Sequence, residues 1–215
     1  MRTLSPRWRN LLFLAPLAVA PVAQAGAEDT TLNFAITRNG DRIGATTVRL
    51  QRDGRQLVAE ITTRIKVEFA SITLYRFEQR ETERWADGKL VGLQSITDDN
   101  GTTHHVNATR KGDKLSVNAD GKVTDYDPAI MPASLWNVQL VKETMAFNSK
   151  DGSVMPVSVV DHGKEQLLLK GHPMTAHHYS IKTNFPQDVW YGEDYRLLKV
   201  ELRGSDGSTI LYQPG

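Results

Sequence analysis

The 215-residue chain contains no cysteine. That excludes a disulfide framework, a thiolate nucleophile, a cysteine-ligated zinc centre and an iron–sulfur cluster. Charge of one sign is equally scarce, since 26 Lys and Arg stand against 25 Asp and Glu. A near-neutral chain exerts no general pull on a polyanion, so no nucleic-acid partner is expected. No apolar run reaches the roughly 20 residues that a membrane-spanning helix needs. A Gly-x-Ser-x-Gly elbow is missing, and so is an Asp-x-Asn-x-Asp-Gly calcium loop.

What is present begins at the N-terminus. Arg2, Arg7 and Arg9 precede an uncharged run from Leu11 to Ala23, and Ala23-Gln24-Ala25 fits the small-x-small pattern read by signal peptidase. Residues 1–25 are therefore expected to be a signal peptide cleaved after Ala25, leaving residues 26–215 as a single β-rich domain. Pro16 and Pro21 interrupt the run, and Trp8 separates the two arginines that a twin-Arg signal would place side by side. Losing three arginines and no acid turns a net charge of +1 into −2. The expected location is the periplasm or the medium, with no membrane span after signal removal.

Turn signals dominate the remainder. Asn39-Gly40, Asp53-Gly54, Asp87-Gly88, Asn100-Gly101, Asp120-Gly121, Asp151-Gly152 and Asp206-Gly207 supply the positive φ of tight hairpins. Between them apolar residues alternate. From Leu57 the series Leu57, Ala59, Ile61, Thr63, Ile65, Val67, Phe69 marks one strand of about 13 residues, longer than the usual five or six. Strands this long point to a strongly curved sheet. The apolar parity changes between Ile43 and Val48 beside Gly44, as a β-bulge requires. Leu198, Val200 and Leu202 lead into Asp206-Gly207, which reads as a closing hairpin. The fold class is thus all-β and mainly antiparallel, a long curved meander sheet or half-open barrel. One stretch lacks alternation, and the prolines Pro128 and Pro132 with Trp136 and Leu140 four apart predict a short helix over residues 133–141. Such a segment belongs in the concave face.

The run from Asp188 to Val200, with Trp190-Tyr191, an acidic turn and Leu198-Lys199, resembles an uncharacterised family of exported bacterial β-rich proteins. Asp206-Gly207-Ser208-Thr209 and the segment Pro132-Ala133-Ser134-Leu135-Trp136-Asn137 add to that resemblance, which spans residues 30–213. Gly192 stands where the family usually has Asp. The resemblance implies a domain of unknown function whose architecture is distantly similar to lipoprotein-carrier half-barrels cupping a hydrophobic cavity. It supplies no catalytic residue.

Six histidines include the pairs His104-His105 and His177-His178. Neighbours on a strand face opposite ways, so neither pair chelates one ion, and His162 and His172 show no metal spacing. Asp98-Asp99-Asn100 and Asp125-Tyr126-Asp127 lack a full calcium pattern. No metal site and no cofactor are expected. Glu81 and Glu83 share one strand face with Tyr75, Phe77 and Trp85, their Cα atoms about 6.6 Å apart by strand rise. That spacing suits acid–base work, although solvated or ion-paired groups are the expected arrangement. Phe34, Phe69, Tyr75, Phe77, Trp85, Trp136 and Trp190 are the candidate ligand-binding residues, able to line a cavity with the Trp136 segment as its plug. A fully packed core uses the same residues, and both readings stand open here.

The expected function is binding of an apolar partner, a hydrophobic small molecule or lipid or a lipidated protein, in the concave face. The alternatives are an envelope enzyme working through strand carboxylates and an interaction module pairing through an exposed strand edge. Fractionation of producing cells should place the protein outside the cytoplasm with Gly26 at its N-terminus; an unprocessed cytoplasmic product would refute the export reading.

Overall fold

A computed structural model describes residues 28–215, so the segment expected to be a signal peptide and the expected cleavage site at Ala25 lie outside the described residues. Eight antiparallel strands come first. They are β1 (Glu28–Arg38), β2 (Asp41–Asp53), β3 (Gln56–Phe69), β4 (Ile72–Ala86), β5 (Lys89–Asp99), β6 (Thr102–Lys111), β7 (Lys114–Ala119) and β8 (Lys122–Tyr126). Residues 127–157 then hold three short strands, β9 (Met131–Pro132), β10 (Met145–Phe147) and β11 (Val154–Pro156), which form a small sheet of their own. The chain closes with β12 (Ser158–Leu169), β13 (His172–Lys182), β14 (Gln187–Gly192), β15 (Leu197–Arg203) and β16 (Thr209–Pro214).

The main sheet has 13 strands in the order β12-β13-β14-β15-β16-β1-β2-β3-β4-β5-β6-β7-β8. Its first and last strands in sequence pair at the middle, with Ile36 opposite Tyr212 and Phe34 opposite Pro214. The edges are β8 and β12, and residues 127–157 carry the chain from one to the other. The fold is therefore a single antiparallel meander, interrupted once by a crossing. Among the described residues no helix is long and apolar enough to cross a membrane.

Local chemistry explains the hairpins. Asn39-Gly40, Asp87-Gly88, Asn100-Gly101 and Asp120-Gly121 each place both residues at positive φ, between 50° and 94°. Two such residues in a row give the turn whose twist matches that of the flanking strands. The bulge expected near Gly44 is present, because Ile36 lies opposite Gly44 while Thr37 lies opposite Arg42. Gly44 also lets β3 approach. A Cβ added there would sit 2.1 Å from the Arg64 carbonyl oxygen.

Alternation sends one side of each strand inward. Phe34, Val48, Ala59, Trp85, Leu93, Val106, Val117, Ile181, Val189, Tyr191 and Val200 are buried, and the crossing segment adds Met131, Leu140, Ala146, Phe147 and Val157 to the same core. A concave sheet of this width leaves space that its own side chains do not fill, and the crossing segment occupies it.

The helix expected at 133–141 is a 3-10 turn, Val138–Lys142. Two local forces shorten it. The Ala133 amide donates to the Phe147 carbonyl at 2.9 Å, which extends the short β9–β10 pairing, and the Asn137 side chain caps the turn by accepting from the Gln139 amide at 3.1 Å. Val138 and Val141 also lose rotamer freedom in a regular helix.

Gly44→Ala should lower stability by about 3 kcal/mol, because the clash is with backbone and cannot be relieved by a rotamer change. Urea denaturation measures this, and an unchanged midpoint would reject the close approach of β2 and β3.

Candidate functional site

The crossing segment does not seal the concave face completely. A cavity of about 570 Å³ opens beside it, with Leu32, Leu50, Leu57 and Trp85 from β1 to β4 facing Trp136 and Val138 from the crossing segment. Arg52, Arg55 and Arg196, all exposed, also line it and place positive charge at its mouth. Arg55 is paired with Asp87 and Arg196 with Asp194. A second cavity of about 190 Å³ lies deeper, bounded by Phe34, Val48, Ile61, Leu135, Tyr212 and the polar groups of Glu81, Ser134 and Ser149. Trp136 lines both. Its ring stands at 89° to that of Trp85, centroids 6.0 Å apart, and its Nε1 is buried without a hydrogen-bond partner. The Tyr212 phenol beside the inner cavity is so far removed from water that its pKa rises to about 12.

Polar pins hold the crossing segment against the sheet. Glu81 and Glu83 are 5% and 0% exposed. The Ser149 hydroxyl donates to Glu81 Oε2 at 2.6 Å, and the Ser134 hydroxyl donates to Glu83 Oε1. Trp85 Nε1 donates to Glu83 Oε2 at 2.8 Å. Elsewhere the Tyr191 hydroxyl donates to the Leu135 carbonyl at 2.8 Å, and Lys150 Nζ pairs with Asp99 at 3.0 Å. Loss of water pushes both glutamates above the ordinary carboxylate range. Glu83 moves further, because the charge of Glu81 adds to the effect of burial. Two carboxyls hydrogen-bonded to each other in such a place titrate as one unit and share a proton.

Sequence reasoning placed these glutamates on one face with Trp85, and they are there. It favoured solvated or ion-paired groups, and that is corrected, for their partners are hydroxyls and an indole. Nothing local in β4 could signal this. Ser134 and Ser149 lie 51 and 68 residues away, on the segment that arrives from across the sheet.

Of the seven aromatic candidates, Phe34, Trp85 and Trp136 reach the cavities. Phe69 is 72% exposed and Tyr75 is also exposed, both near the protruding β3–β4 tip where Ala70 and Ser71 take positive φ. Half-buried Phe77 has the inward parity but lines neither cavity. Trp190 faces the convex side, since Val189 and Tyr191 beside it point into the core. There it stacks on His178, ring centroids 4.3 Å apart. Strand alternation put these four in reach of an inner face, but hairpin overhang and bulges moved them off the cavity. The Arg52, Arg55 and Arg196 mouth was missed, because Arg196 lies far along the chain from Arg52 and Arg55 and meets them only in the fold.

Of the His pairs, His104 meets Asp120 at 2.8 Å and His177 meets Asp161 at 2.5 Å. On the convex face His162, His178 and Asp188 converge, with ligand atoms within 4.8 Å of one another.

The profile of a family described as a domain of unknown function, DUF6134, matches residues 34–215. No curated protein matches the chain in sequence. Among solved structures it is similar to a β-barrel-like protein of a domain of unknown function, DUF1849, from Brucella abortus, with a TM-score of 0.65 and 10% identity over 86% of this chain and 94% of that one. At that identity the likeness is one of fold.

The shared proton has a pH signature. Glutamates with raised folded pKa values favour the fold in the protonated form, so their contribution is complete below about pH 4.5 and fades as pH rises through the folded values. Glu83→Gln keeps a neutral group of the same shape. Its stability should exceed that of the parent at neutral pH and converge on it toward pH 4.5, as followed by urea denaturation; curves that stay parallel would exclude the shared proton.

Proposed function

The chain belongs to the family DUF6134, and we propose that it is an exported protein that binds an apolar or amphipathic molecule, a lipid or lipidated partner, in the concave face beside Trp136. One observation carries this reading. The cavity of about 570 Å³ combines an aliphatic and indole wall with Arg52 and the ion-paired Arg55 and Arg196. With Asp194 as its one lining carboxylate among the described residues, the mouth keeps an excess of positive charge that suits a hydrocarbon chain ending in an anionic group. Its volume lies in the usual range for small-molecule sites. The driving force is removal of hydrocarbon from water, about 25 cal/mol per Å² of apolar surface buried. The arginines orient the head, and the unpartnered Trp136 Nε1 is a donor available to a ligand oxygen or a water molecule. The signal peptide supports a location outside the cytoplasm, where such a ligand is at hand.

An envelope enzyme working through Glu81 and Glu83 has less to rest on. Glu83 is wholly enclosed and both of its oxygens are engaged, as in a structural pin.

Native mass spectrometry of the processed protein should show co-purified lipid, and a fluorescent long-chain fatty acid should bind and quench tryptophan emission. Arg52→Glu together with Arg55→Glu should weaken that binding about tenfold, a change of about 1.4 kcal/mol. Ligand-free spectra together with no fatty-acid binding would overturn the reading.

A further inference from the structure

We propose that His162, His178 and Asp188 form a site for a divalent transition-metal ion of the zinc class on the convex face of β12, β13 and β14. The ligands come from three adjacent strands, and the bulge in β12 makes this possible. Asp161 lies opposite Tyr179 and Gly163 opposite His178, so His162 is the extra residue, and Gly163 at φ +80° turns the chain there. A bulge re-aims a side chain that regular alternation would send elsewhere. Here it brings the imidazole of His162 over that of His178, centroids 4.4 Å apart.

The donor atoms are close to a coordination sphere. His178 Nε2 and Asp188 Oδ1 are 3.3 Å apart, the separation of two ligands on one ion with bonds of about 2.1 Å. The Ser180 hydroxyl stands between the groups, 2.8 Å from His162 Nε2 and hydrogen-bonded to Asp188 Oδ1. An ion binding among these groups would displace that hydroxyl, which a turn of Ser180 to another χ1 rotamer allows. The full spread of 4.8 Å is slightly wider than one ion tolerates, and the exposed His162, on exchanging its Ser180 hydrogen bond for the metal, is the side chain that closes it.

A supporting shell is already built. Glu165 Oε1 lies 3.8 Å from His178 Nδ1 and is itself held by Trp190 Nε1. Without an ion His178 Nε2 hydrogen-bonds Asp188 Oδ1, so a metal would take the place of that proton, and a small approach of Glu165 to Nδ1 would then hold the ring in the ligating tautomer. The His178 ring is clamped between His162 and Trp190, and the other face of that indole carries the Lys199 ammonium, 4.1 Å from the ring centroid. Two imidazoles and one carboxylate with solvent at the remaining positions suit Zn²⁺, Co²⁺ or Ni²⁺ and poorly suit Ca²⁺ or Mg²⁺, which take oxygen. The adjacency rule that excludes chelation by the His177-His178 pair does not touch this arrangement, because only one member of that pair takes part. The site is on the opposite face from the cavity and stands independently of it.

Zn²⁺ titration of the processed, metal-free protein by calorimetry should show one saturable ion per chain, and Co²⁺ should give visible bands of a nitrogen and oxygen environment. His162→Ala and Asp188→Asn should each weaken Zn²⁺ binding by at least about tenfold, and Glu165→Gln by less. His162 is exposed, so its variant tests ligation without disturbing the core. His104→Ala, at the distant Asp120 pair, should bind as the parent does. The absence of saturable binding, equal affinity in His162→Ala, or an equal loss in His104→Ala would overturn the site.

Discussion

The fold depends on how a very wide curved sheet fills its own hollow. Thirteen strands curl far enough that side chains from opposite walls do not meet, and a segment of the same chain is laid across the gap. Apolar contacts from Met131, Leu140 and Phe147 supply the bulk of that docking, but they are non-directional. Direction comes from Glu81 and Glu83, which reach from β4 to receive Ser149 and Ser134. Burying two carboxylates without a cation is costly, and the structure offsets it with hydroxyl and indole donors and a retained proton. The segment is thereby set in one register, and Trp136 with it.

Much of the β architecture is legible in the chain because its signals are local. The Asx-Gly pairs 39–40, 87–88, 100–101 and 120–121 each sit at a hairpin, and the period-two run from Leu57 to Phe69 is β3 nearly to the residue. The bulge beside Gly44 could be read from a change of parity alone. The crossing segment was legible as an interruption but not in its form, since the Ala133 to Phe147 hydrogen bond that displaces a helix spans 14 residues. The site was harder still. Phe34, Trp85 and Trp136 could be picked out by size and parity, whereas the arginine mouth and the serine partners of the glutamates exist only once distant strands are brought together.

The two faces of the sheet do different physical work. Inside, Glu81 and Glu83 are dry and are satisfied by hydroxyls of the crossing segment, so they are committed to holding the fold, while Trp136 Nε1 is left without a partner. Outside, the ladder of His162, His178, Trp190 and Lys199 runs across four strands in partial contact with water, and its groups keep coordination and hydrogen-bonding capacity to spare. Alternation along a strand is what allows Val189 and Tyr191 to join the inner core while Trp190 between them is buried on the convex side under His178 and Lys199.

The pairing of β1 with β16 at the centre of the sheet sets the order of assembly. The earliest described strand to leave the ribosome must wait for the latest before its ladder is complete, so this is a topology of high contact order that matures only after synthesis. Until then each half exposes an unpaired flank. The finished sheet is thus closed by an interior seam, β16 against β1, that joins the two ends of the described chain.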